Sequence, residues 1–133
     1  MNISEFSNPT SERIYILIEL LNEIETYSNK DNAIISSDSQ SDNLTIIESF
    51  LYDAIEAVAE KTGSTPHHVE RVLNDIITDG DMRLNIVYFC YDIIEWLITG
   101  DRTKIRKVLI YNISDNFPDG DKKAIDNWYS NIV

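Results

Sequence analysis

The stretch that most constrains this chain runs over residues 82–98. It reads Met82-Arg83-Leu84-Asn85-Ile86-Val87-Tyr88-Phe89-Cys90-Tyr91-Asp92-Ile93-Ile94-Glu95-Trp96-Leu97-Ile98. Only Arg83, Asn85, Asp92 and Glu95 interrupt it with polar or charged groups. A helix that is apolar nearly all round offers no face to water, so it belongs in the middle of a fold. Charge breaks the run too early for a membrane span, which needs about 20 consecutive apolar residues. A β-strand is open over residues 83–90, because Ile86-Val87-Tyr88-Phe89 is β-branched and aromatic. The run continues to Ile98, beyond a usual strand length, and that favours helix.

Five other segments carry helical signals. Asn8-Pro9 can cap and open a first helix, in which Ile14, Leu17, Ile18, Leu21 and Ile24 share a face. Residues 28–43 are rich in Ser, Asn and Asp and read as a long polar loop. A second helix begins at Ser41 or Asp42, buries Leu44, Ile47, Leu51, Ile55 and Val58, and stops at Gly63. Thr65 caps a third, opened by Pro66, with Val69, Val72, Leu73, Ile76 and Ile77 inward and Gly80 at its end. The apolar stretch follows, capped by Asp81 and stopped by Gly100. Asp101 opens a fifth helix with Ile105, Val108 and Leu109 inward, and Asn112 or Ile113 next in register. Asp121 caps the last, which packs Ala124, Ile125, Trp128, Tyr129 and Ile132. The expected fold is all-α: a single domain over residues 1–133, a bundle of about six helices around a central apolar helix at 82–98.

The chain has 133 residues, enough for one core and too few for two comfortable ones. Its one cysteine, Cys90, lies inside the apolar stretch, which suits a buried thiol in a reducing compartment. Residues 1–9 have neither a basic nor an apolar region, so no signal peptide is expected and the expected location is the cytoplasm. Net charge is −12. Residues 1–100 carry 18 acidic and five basic side chains, a net −13, whereas residues 101–133 carry +1. Such an excess repels phosphate backbones, so nucleic acid is a disfavoured partner. It suits a basic protein partner, or serves solubility alone.

The one motif-like segment is Ala57-Val58-Ala59-Glu60-Lys61-Thr62-Gly63-Ser64-Thr65-Pro66-His67-His68-Val69-Glu70-Arg71-Val72-Leu73-Asn74. It resembles a helix-turn-helix of the LacI type, with a small residue at the crossing (Ala59), a turn glycine (Gly63) and an Arg-Val-Leu-Asn ending. That resemblance implies a transcriptional regulator whose second helix enters a major groove. The charge argues otherwise. From Ile55 to Arg83 there are six acids and three bases, and Ser64 replaces the apolar residue usual after the turn. A packing corner is the preferred reading.

Other constellations favour ordinary roles. His67 and His68 are adjacent and diverge by about 100° on a helix, so they do not easily share one metal. Asp75…Asp79-Gly80-Asp81 and Asp115…Asp119-Gly120-Asp121 fail calcium-loop spacing, because their third positions are Ile77 and Phe117. Asp92 and Glu95 sit one turn apart as an acid–base pair or as a strip meeting water or a cation, with Arg102, Lys104, Arg106 and Lys107 as candidate partners. No catalytic residue, cofactor or metal is expected, and the chain is not read as an enzyme.

In size, charge and helical content the chain is similar in type to the small acidic immunity proteins that neutralise bacterial toxins, including those of contact-dependent inhibition systems. What that likeness implies is a cytosolic inhibitor that covers a basic toxin, often a nuclease. The expected contact residues are Asp38, Asp42, Asp53, Glu56, Glu60, Asp75, Asp79 and Asp81. The alternative is the DNA-binding regulator.

Overall fold

Helix boundaries follow from local chemistry. The computed structural model describes residues 11–31, 40–77, 82–111 and 119–130. They form α1 (Glu12–Asp31), α2 (Gln40–Thr62), α3 (Pro66–Ile77), α4 (Met82–Thr99), α5 (Thr103–Tyr111) and α6 (Asp119–Ser130). The all-α, six-helix bundle expected from the sequence is what forms, and residues 83–90 are helix rather than strand.

Ser11 caps α1: its hydroxyl accepts from the N–H of Ile14 at 3.3 Å. The Asn8-Pro9 start expected from the sequence lies outside the described residues. Between α2 and α3, Gly63 sits at φ +71°, and the Ser64 N–H reaches the Ala59 carbonyl at 2.9 Å while the Gly63 N–H reaches that of Glu60 at 3.3 Å. These two bonds satisfy the last carbonyls of α2 and reverse the chain. Thr65 then caps α3, its hydroxyl accepting from the His68 N–H at 3.2 Å. Gly100, at φ +78°, ends α4, and Asp101 caps α5 by accepting from the Thr103 N–H at 2.9 Å. Asp121 does not cap α6, which begins at Asp119. Its fully buried carboxylate instead accepts from the Ser11 N–H, joining α6 to the start of α1.

Burial is distributed differently from the sequence expectation. Among the residues whose burial is described, those of α1, packed against α2, α3 and α6, are the most completely enclosed. Ile14, Tyr15, Ile16 and Leu17 are four successive buried residues, and Leu20, Leu21 and Ile24 follow. A helix buries four consecutive side chains only when neighbours cover it on several sides. In contrast α4, packed on α2, α3 and α5, buries Phe89, Cys90, Ile93, Ile94 and Trp96 on one side and leaves Tyr88, Tyr91 and Ile98 in water on the other. Helix α2 buries Ile47, Leu51, Ala54, Ile55, Val58 and Ala59, and α3 buries Val69, Val72, Leu73 and Ile77. No described helix is long and apolar enough to cross a membrane.

Candidate protein-binding face

Five acids on α1, α4 and α6 are matched to lysine or arginine. On α1, Lys61 reaches Glu19 at 3.2 Å and Glu23 at 3.0 Å, Arg102 reaches Glu25 at 3.0 Å, and the His68 ring meets Glu12 at 3.1 Å. Glu95 of α4 pairs with Lys104 at 2.6 Å, and Asp126 of α6 with Arg106 at 3.0 Å. The hydrogen bond to Glu23 is the main reason that the Lys61 ammonium titrates above its ordinary value, although burial opposes it.

Helix α2 differs. Asp42, Thr45, Ser49, Tyr52, Asp53, Glu56 and Glu60 recur at helical spacing and are all exposed, so they form one wet stripe along the helix. Among the described residues none of Asp42, Asp53, Glu56 and Glu60 has an ion-pair partner. The structure therefore brings four of the expected contact residues onto one face. Asp75 is exposed on α3. Asp38, Asp79 and Asp81 lie outside the described residues.

The sequence reading missed the tyrosines. Tyr52 is 66% exposed in the middle of the acidic stripe, and Tyr88 is 60% exposed on α4. Tyr91 and Ile98 are exposed as well. Tyr88, Tyr91, Glu95 and Ile98 follow at three- and four-residue steps and share one face of α4. The helices α2 and α4 pack together, and the charge of Glu48 on α2 helps to raise the Cys90 thiol on α4. Tyr52 and Tyr91 are thus exposed residues of two neighbouring helices. A signal for this was present in the sequence: Asp92, Glu95 and Thr99 mark the wet side of α4, and Tyr88 lies among them.

The basic cluster at the start of α5 is largely matched within the fold. Arg102 is buried, its guanidinium 4.4 Å from the Trp128 ring centre and 5.2 Å from that of Trp96. It donates to the Trp128 carbonyl and to Glu25. Trp96 and Trp128 meet edge to face at 5.4 Å. Arg106 lies 5.3 Å from the Tyr129 ring centre as well as against Asp126. Glu95 therefore faces this cluster. Asp92 feels it too: burial raises its carboxyl most, Lys104 opposes the rise, and Glu95 adds to it.

At the α2–Gly63–α3 corner Val58, Ala59, Val69 and Val72 are buried. Among the described residues of α3 the exposed ones are Pro66, His67, His68, Glu70, Arg71 and Asp75, which offer one arginine against two acids. Burial pushes the Cys90 thiol up to about 12, so almost no thiolate exists at neutral pH. Among the described residues no group of three or more His, Cys, Asp or Glu side chains is placed to hold a metal ion. No protein-family model matches the chain, and no curated protein or solved structure is significantly similar to it.

Proposed function

We propose that this protein is a stoichiometric inhibitor of the immunity type, which acts in the cytoplasm by binding a basic toxin domain, a nuclease in its commonest form. The observation that supports the reading best is the contrast between helices. Glu19, Glu23 and Glu25 of α1, Glu95 of α4 and Asp126 of α6 pair with lysine or arginine inside the fold, while Asp42, Asp53, Glu56 and Glu60 of α2 share one exposed face with no such partner among the described residues. A row of uncompensated carboxylates steers a basic partner and speeds the encounter, most strongly at low salt. Exposed tyrosines within and beside that row supply the kind of anchor that carries affinity at protein interfaces.

The experiment is protection. The reading expects a neighbouring gene for a large secreted protein with a basic C-terminal domain. Co-expression of this chain should rescue cells from that domain, and reversing the charge of Asp53, Glu56 and Glu60 together should abolish the rescue. Growth arrest that persists with the folded wild-type chain present would refute it.

A regulator that binds DNA through α3 is the second reading, favoured by the well-formed α2–Gly63–α3 corner. Specific retardation of DNA from its own locus, weakened by Arg71→Ala, would establish that reading instead.

A further inference from the structure

We infer that the exposed tyrosines of two helices that pack together, Tyr52 of α2 and Tyr88 and Tyr91 of α4, anchor the partner by stacking its arginine side chains on their rings. The inference rests on the inhibitor reading and gives its surface a specific chemistry. Inside this molecule arginine is held twice in one way, by an aromatic ring together with a carboxylate. Arg102 lies against both Trp96 and Trp128 and pairs with Glu25, and Arg106 lies against Tyr129 and pairs with Asp126. The surface repeats that combination with the cation missing. Tyr52 stands beside Asp53, with Glu48 and Glu56 one turn to either side, and among the described residues no cation stacks on Tyr52, Tyr88 or Tyr91.

A guanidinium fits such a site better than an ammonium. It is planar, stacks on a ring and still presents its edge to a carboxylate, whereas an ammonium is a compact, strongly hydrated charge. A second copy of the chain is a poor occupant, because the acids beside the tyrosines would meet their own kind in a molecule of net charge −12.

Two short synthetic peptides of equal charge, one built on arginine and one on lysine, test this by NMR titration of tyrosine-labelled protein. At low ionic strength both should bind, with the arginine peptide about threefold tighter and the Tyr52, Tyr88 and Tyr91 signals moving most. Tyr52→Leu and Tyr91→Leu should each remove the arginine preference, and Tyr91→Phe should keep it. Equal affinity for the two peptides, with tyrosine signals unmoved, would overturn the inference and leave the acidic-face reading standing. Failure of both peptides to bind would overturn both. Broadening of the same tyrosine signals with protein concentration alone would assign the face to a second copy and overturn the inference.

Discussion

Replacing Arg102 with lysine keeps the charge and removes the planar fork that reaches two acceptors at once. The arginine donates to the Trp128 carbonyl and to Glu25, and it lies within 5.2 Å of two indole centres. Each ring contact is worth about 0.5–1 kcal/mol. Leaving the buried carbonyl of Trp128 unmatched costs about 1 kcal/mol or more. Glu25 is about one-third exposed and can turn to water, so loss of that pair adds only about 0.5 kcal/mol. Arg102→Lys should therefore cost about 2.5–3 kcal/mol and Arg102→Ala, which also opens a cavity, about 4 kcal/mol. Urea unfolding followed by far-ultraviolet circular dichroism measures this as a lowered midpoint at unchanged slope. A lysine variant within about 0.5 kcal/mol of wild type would refute the view that this guanidinium ties α1, α5 and α6 together.

Gly63→Ala should cost about 1 kcal/mol in the same assay, because a Cβ there meets no atom within 4 Å and only the left-handed backbone resists it. Gly63→Asn, which tolerates that conformation better, should cost less. Asp92→Asn should stabilise the protein at neutral pH. Burial raises the folded-state pKa of Asp92 above its unfolded value, so its ionised form opposes folding, and the gain should fade as pH falls through that raised value and both carboxyls protonate. Cys90 should resist a disulfide reagent in the native protein and react at once in urea, since its thiol is buried and pushed up to about 12.

Much of the fold was legible because it rests on short-range chemistry. Gly63, Thr65-Pro66 and Asp101 mark helix ends through bonds made within a few residues, and the structure makes those bonds. Which helix lies deepest was not legible. An apolar run at 82–98 signals burial, but Tyr88 and Tyr91 count as apolar in such a reading while their hydroxyls and ring edges tolerate water. Helix α1 has a more mixed sequence, yet it is enclosed because α2, α3 and α6 converge on it from distant parts of the chain. Arg102 shows the same limit. Its burial depends on Glu25, Trp96 and Trp128, which no spacing rule connects. Four of the eight expected contact acids do share a face, because residues 42, 53, 56 and 60 obey one helical period. The anchors among them escaped notice because a single tyrosine in an amphipathic helix reads equally well as core or surface.

The inhibitor reading is tested most directly by titrating this protein into the basic toxin domain that the reading expects a neighbouring gene to encode, by calorimetry at low and at physiological ionic strength. The expected result is a 1:1 complex whose affinity falls as salt rises and collapses when Asp53, Glu56 and Glu60 are reversed in charge. Absence of heat at low ionic strength, or an affinity indifferent to those three carboxylates, would contradict it.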